Sequence, residues 1–319
     1  MYEVRELEYS QKSYKKILAK LRESLIKYFV ETITEELKEA EGLFNRIKGI
    51  IESKTDDYPY ENCECYEIRS DDEVIGFMTT SLLDKKLFLI RHIFILDVNN
   101  KEEVAYILLK EAIERLKHKY KINKFNNAAF TFPEDLLSNP LRRLGFNFLK
   151  RHDMGFRLNT LEKRYNLPSK YSFTYFNEEI LLKVAELSVQ VFKNHPDARF
   201  WEEINSVSHY LEFLENSLKT YFLKECSFIV IDEQGQIAGY CLVEKGDDED
   251  EIYIQNIAVQ KKYQGKGIGK GLLSKVLEVA RKLGYNKVIL TVTEGIPAQK
   301  MYEKFGFRKY TSFYIITDT

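Results

Sequence analysis

The stretch YQGKGIGKGLL, Tyr263–Leu273 of a 319-residue chain, decides how the rest is read. Gly265, Gly267 and Gly269 alternate with other residues, Lys266 and Lys270 stand among them, and Lys261 and Lys262 lie just upstream. An apolar run, EIYIQNIAV (251–259), precedes the loop. A helical stripe follows it: Ile268, Leu272, Leu273, Val276, Leu277, Ala280 and Leu283 recur at the spacing of one helix face. A strand–loop–helix unit of this kind leaves free N–H groups at the helix start, at the positive end of the helix dipole, which is an anion site. Glycines let an anion approach the backbone because no Cβ intervenes. The natural ligand is a phosphate or a pyrophosphate.

Several glycine loops bind phosphate. A P-loop requires Gly, four residues and Gly-Lys-Ser/Thr, which the chain does not have here. A dinucleotide fingerprint belongs in the first strand–helix unit of a parallel sheet, with an acid about 20 residues on. This loop comes late, after a hairpin, with one further strand–helix–strand unit behind it. A turn without a ligand would hardly need three alternating glycines beside four lysines.

Working outward, YSFTYF (171–176) reads as a strand, and residues 177 to about 223 as helix broken around NHPDARF. CSFIVIDEQGQIAGYCLVE reads as a hairpin turning at Glu233–Gln236. KVILTV (287–292) is the next strand, PAQKMYEKF (297–305) a short helix with Pro297 in its first turn, and FYIIT a closing strand. The first half follows the same order: a strand at YEVREL, helix over 11–53, strands at EVIGFMTTSLL and KLFLIRHIFIL, helix over 101–119, a strand at KFNNAAFTF and a short helix ending in LRRLGF. Gly269 falls on Ala105, Ile257 and Val259 on Ile93 and Ile95, and Leu272 and Leu273 on Leu108 and Leu109, all at an offset of 164 residues. A tandem repeat explains this register. The expected domains are 1–162 and 168–319, joined through the polar, proline-containing NTLEKRYNLPSK.

Composition is that of a globular protein, 44% hydrophobic and 30% charged. A net charge of −1 points to neither nucleic acid nor an anionic membrane as partner. The N-terminal MYEVRELEYS lacks the apolar core of a signal peptide, and no apolar run is long enough to span a bilayer. Cys63 and Cys65 form a CxC in a strand while Cys226 and Cys241 stand alone, so the expectation is free thiols in a reducing cytoplasm, with no metal site.

The segment Gln264-Gly265-Lys266-Gly267-Ile268-Gly269 resembles the Q/R-x-x-G-x-G/A loop of the GNAT superfamily of acetyl-CoA-dependent N-acetyltransferases. Hairpin, strand ending IAV, loop, helix, strand, short helix with MYEKFGF and final strand also follow that family's order, over roughly 171–319. The resemblance implies an α/β (α+β) fold of two tandem GNAT-like domains, each a mixed, mostly antiparallel twisted sheet flanked by helices. It implies acetyl-CoA as co-substrate, its pyrophosphate on Gln264, Gly265, Lys266, Gly267, Ile268, Gly269 and Lys270, and its pantetheine arm along Ile257, Ala258 and Val259. It makes Tyr302 the general acid near the sulfur. Where many members carry Asn, seven residues before that Tyr, this chain has Gly295. The family's glutamate position on the loop-preceding strand is here Tyr253. Glu251, two residues earlier on the same face, is either the general base or part of the solvated acidic turn DDEDE (247–251). His195, Asp197, Arg199, Trp201 and Glu202 fall where relatives line the acceptor pocket, and equally where an ordinary surface loop would be.

In the first half, Gly265 becomes Lys101, Gly267 becomes Glu103, Gln264 becomes Asn100 and Tyr302 becomes Leu141. Side chains close the cradle, and Glu102 and Glu103 would repel a pyrophosphate. The first domain is expected to be a degenerate copy, leaving three roles open: shaping the acceptor site, bracing its partner, or forming a homodimer. The expected reaction is direct acetyl transfer to a primary amine, on a small molecule or a peptide, in the second domain. The rival is an acyl-CoA sensor or interaction protein without chemistry.

Overall fold

The structure is a computed structural model that describes residues 2–7, 11–33, 40–42, 44–45, 47–49, 63–84, 87–96, 98–121, 129–131, 136–162, 164–200 and 206–317. The chain forms two compact units: residues 1–152 with 309–319, and residues 153–308. No single cut in the sequence separates them, because the C-terminal strand belongs with the first unit.

The first unit contains β1 (Tyr2–Glu6), α1 (Gln11–Ile33), β2 (Cys63–Ser70), β3 (Glu73–Asp84), β4 (Leu87–Ile95), α2 (Lys101–Tyr120), β5 (Ala129–Thr131) and α3 (Ser138–Arg143). Strand β6 (Asn147–Arg157) carries the chain into the second unit at residue 153. β1 to β4 form an antiparallel meander, and β5 lies parallel to β4, pairing His92 with Phe130. The last strand, β12 (Arg308–Thr317), pairs antiparallel with β5 through Phe313 and Tyr314. Its Tyr314 and Ile316 are buried in the same core as Leu108, Leu109 and Leu141. α1 packs Tyr14, Ile17 and Leu21 against Phe77 and Phe94 on the other face. Of the helix expected over 11–53, residues 34–39, 43, 46 and 50–53 lie outside the described residues, as do 124–128 and 132 of the expected KFNNAAFTF strand.

The second unit contains β7 (Tyr171–Thr174), α4 (Glu178–Phe192), a 3-10 turn (Pro196–Arg199), α5 (Val207–Thr220), β8 (Phe228–Asp232), β9 (Ile237–Lys245), β10 (Glu251–Val259), α6 (Ile268–Lys282), β11 (Lys287–Thr293) and α7 (Pro297–Phe305). The strands run in the order β11-β10-β9-β8-β7, all antiparallel except β10 and β11. Alternation sorts their side chains onto two faces. Ile252, Ile254, Val288, Leu290 and Val292 pack with α6 and α7 on one face. Ile229, Tyr240, Leu242 and Ala258 pack with α4 and α5 on the other.

A buried carboxylate ties α1 to the first sheet. Glu67 on β2 is 3% exposed, accepts a hydrogen bond from Tyr14 at 2.5 Å and meets the Arg69 guanidinium at 2.8 Å. An under-satisfied buried charge is costly, so Tyr14→Phe is expected to lower the urea stability of the first unit by about 1–3 kcal/mol. Unchanged unfolding would show that the Tyr14 hydroxyl does not stabilise this carboxylate.

Candidate functional site

β10 is where the sheet opens. Its parallel pairing with β11 is confined to Glu251–Ile254 against Lys287–Leu290. Its antiparallel pairing with β9 continues to Val259, with a register shift between Ile254 and Asn256 that makes Gln255 the extra residue of a bulge. Gln255–Val259 therefore keeps a partner strand on one side only. Gln255, Asn256 and Ile257 are half-buried in mid-sheet, as an open wedge requires. Peptide groups on that edge are available to a ligand that can hydrogen-bond like a strand.

The glycine loop lies at the mouth of the wedge. A short turn (Lys261–Tyr263) leads into Gly265 at φ 75° and Gly267 at φ 84°, both left-handed. Gly267 is the N-cap of α6 and offers no side-chain cap. An added Cβ at Gly265 or Gly267 would meet no atom within 4 Å, so the space over these peptides is open. The first N–H groups of α6 thus face an uncovered surface. Tyr263, buried beneath the loop, donates its hydroxyl to Asp232 in the β8–β9 turn. Lys262 and Lys266 lie over its ring at 4.7 and 5.4 Å, and Lys270 lies over Tyr165 at 5.1 Å. Lys266 and Lys270 form no ion pair among the described residues, which leaves their charge for an anion. Gln264 donates to the Val259 carbonyl at 3.0 Å and so ties the loop to the end of the strand.

The equivalent end of α2 carries hydrogen-bonded side chains in place of bare peptides. Asn100 occupies the left-handed N-cap, Glu103 pairs with Arg143 at 2.5 Å, and Asn139 donates to Glu102 at 2.8 Å. These residues and Leu136 line a hollow of about 540 Å³. Two carboxylates at a helix N-terminus already satisfy its positive end. Leu141, aligned with Tyr302, is fully buried in the apolar core.

Tyr302 lies on α7, 5% exposed, with its ring 5.7 Å from Phe307. Burial holds its phenol well above the ordinary range, and Cys241 and Tyr253 push in the same direction. The group therefore stays protonated at neutral pH, as a proton donor must. Gln299, 8% exposed, accepts from the Gly295 N–H at 2.7 Å and so fixes the loop in front of α7 without the family's Asn.

Glu251 begins β10, eight residues or ~26 Å of extended chain from Val259. It is 4% exposed and pairs with Lys287 at 3.0 Å. Burial raises its pKa, and Lys287 opposes that rise. Of the acceptor-pocket candidates, His195 and Asp197 come together, with Nδ1 and Oδ1 3.4 Å apart. Thr293, at the end of β11, donates to Asp197 at 2.6 Å. That bond lays the 195–199 segment over the strand end where β10 and β11 part. The Arg199 side chain, Trp201 and Glu202 lie outside the described residues.

Three groups that sequence reasoning left out of the site also meet here. Tyr253 donates to Thr291 at 3.2 Å, and Thr291 donates to Asp153 at 2.6 Å. The available signal was alternation: in KVILTVT, Thr291 and Thr293 place two hydroxyls on one face of an otherwise apolar strand. Behind the bulge, Asn256 donates to the Tyr210 hydroxyl at 2.7 Å, which lies 2.9 Å from the Tyr240 hydroxyl. The chain ends at Ser188, 2.7 Å from Tyr240, and pins β10 to both helices beneath it.

Comparison with known proteins agrees with this geometry. The profile of the Acetyltransferase (GNAT) family matches residues 183–307. The chain is 31% identical over 107 residues to a [ribosomal protein bS18]-alanine N-acetyltransferase of Haemophilus influenzae, covering 34% of this chain and 72% of that protein. It is 30% identical over 96 residues to an N-acetylaspartate synthetase of Danio rerio, covering 29% of this chain and about a third, 34%, of that protein. A solved GCN5-related N-acetyltransferase from Sphaerobacter thermophilus shares the fold, with a TM-score of 0.58 and 14% identity over 99% of this chain and 95% of that one. With the loop, the opened strands and these matches in agreement, the chain belongs to the GNAT acetyltransferase family.

Proposed function

We propose that the second unit transfers an acetyl group from acetyl-CoA to a primary amine. The observation that carries the reading is the bare left-handed turn at Gly265 and Gly267, opening α6 beside a strand edge without a partner. A diphosphate fits there because no Cβ covers the peptides and Lys266 and Lys270 are free to face it. Gln264 to Lys270 would hold the diphosphate, and Ile257, Ala258 and Val259 would offer strand-like hydrogen bonds to the pantetheine arm. Acetyl-CoA supplies the activated acyl group as a thioester. The chain's part is then to orient the acyl carbon, stabilise the oxygen through an N–H of the wedge, and manage protons. Tyr302 gives its proton to the departing sulfur.

The second unit carries this chemistry and the first does not, since its helix start is committed to Glu102, Glu103, Asn139 and Arg143. His195 and Asp197 belong to the acceptor side, together with Arg199, Trp201 and Glu202 by position. Glu251 stays the sequence-derived candidate base, here tied to Lys287. The names of both relatives place an acetyl group on the nitrogen of an amino acid, so aspartate and alanine-led peptides belong in the acceptor panel beside simple alkylamines. We place the protein in the cytoplasm on its buried thiols at Cys226 and Cys241, which form no disulfide. Among the described residues no helix is long and apolar enough to cross a membrane.

The test is thiol release from acetyl-CoA across that panel. At least one amine is expected to be turned over, and no release with any of them contradicts the reading. Tyr302→Phe is expected to lower kcat about 100-fold or more, the usual worth of general acid catalysis, and to leave acetyl-CoA affinity within about threefold. An unchanged kcat would remove Tyr302 from the proton-donor role.

A further inference from the structure

Tyr253, Thr291 and Asp153 come from three different strands and share one face of the second sheet, opposite the α6 core. All three are half-buried, and Tyr253 stands two residues before Gln255, where β10 has parted from β11. After burial and Cys241, Tyr253 is among the groups that push the Tyr302 phenol up. Both recorded hydrogen bonds point the same way, from Tyr253 to Thr291 and from Thr291 to the carboxylate. A donor chain that ends on a carboxylate can accept a proton at its first oxygen and deliver one at its last.

Resting on the acetyltransferase reading above, we propose that the proton shed when the acceptor's ammonium becomes a nucleophilic amine leaves through Tyr253 and Thr291 to Asp153. An alkylammonium has a pKa of about 10, so at neutral pH a proton must go before nitrogen can attack. One N–H bond of the ammonium breaks and its proton passes to the Tyr253 oxygen. The Tyr253 hydroxyl proton passes to the Thr291 oxygen, and the Thr291 proton to Oδ1 of Asp153. The amine is left neutral and Asp153 becomes a carboxylic acid, which returns the proton to water. No electron changes owner. Overall, ammonium and thioester give amide, thiol and one proton: the proton released is the one Asp153 takes. A second nitrogen proton restores the one Tyr302 gives to sulfur. Glu251, on the same strand face as Tyr253, is held by Lys287 at 3.0 Å. Thr291 and Asp153 act through Tyr253 and are positioning residues, whereas Tyr253 meets the nitrogen.

The test compares two acceptors, ethylamine and 2,2,2-trifluoroethylamine, the second of which has a nitrogen largely unprotonated at neutral pH. Thr291→Val and Asp153→Asn are expected to lower kcat for the alkylamine on the order of 100-fold, with the weakly basic amine slowed less than about threefold. Thr291→Ser, which keeps the hydroxyl, is expected to restore the rate. A second readout needs no turnover. With 3-fluorotyrosine at position 253, the 19F resonance is expected to shift on Asp153→Asn. Equal slowing of both amines, wild-type rates in the variants, or an unmoved resonance would overturn the relay while leaving the acetyltransferase reading intact. If acetyl-CoA binds calorimetrically but no amine reacts, that reading falls and the relay with it.

Discussion

The parting of β10 from β11 after Ile254 is the constraint on which the second unit's site depends. Two parallel strands that stayed paired would satisfy each other's peptides and leave nothing for a ligand. The bulge at Gln255 turns β10 away while β9 holds it, and the Asn256–Tyr210–Tyr240–Ser188 chain fixes the bent strand from beneath. Burying the three hydroxyls of Tyr210, Tyr240 and Ser188 is tolerated because each has a hydrogen-bond partner. The same opening that exposes a strand edge also frames the start of α6, so a ligand that is strand-like at one end and anionic at the other matches both features at once.

The two units show how little must change for such a site to vanish. α2 and α6 follow equivalent strands and pack equivalent leucines, Leu108 and Leu109 against Leu272 and Leu273. At α6 the helix dipole faces open space through two left-handed glycines. At α2 a left-handed Asn100 makes the same turn, but Glu102 and Glu103 occupy the positive end and collect Asn139 and Arg143. The fold survives the exchange because the core beneath does not use those side chains.

Much of this was legible in the sequence, for a local reason. The period of the stripe from Ile268 to Ala280, the glycine spacing and Pro297 at the start of α7 are short-range signals, and the elements lie where those signals place them; Leu283, expected in the same stripe, caps α6 and is exposed. Pairing across the chain was not legible. FYIIT reads correctly as a strand, but nothing in those residues says that Phe313 and Tyr314 pair with β5 of the first unit. Strand β6, not anticipated after LRRLGF, supplies Asp153. Asp153 and Thr291 are 138 residues apart, and no periodicity links them. For Glu251 the sequence offered a base or part of a solvated turn; the second is overturned, because the carboxylate is buried and paired with Lys287, its register partner on β11.

The central claim is that the peptide nitrogens opening α6 grip a diphosphate. Titration calorimetry with acetyl-CoA on the full chain and on the Gly267→Glu variant tests it most directly. The variant brings a side chain and a negative charge to a left-handed N-cap, where the first unit has its acids in the first turn of the helix, at Glu102 and Glu103. The account predicts saturable one-site binding by the wild type and at least about a 100-fold loss in the variant, the order expected when several charge-assisted hydrogen bonds give way to repulsion. No measurable binding by the wild type, or equal affinity in the two proteins, would contradict it.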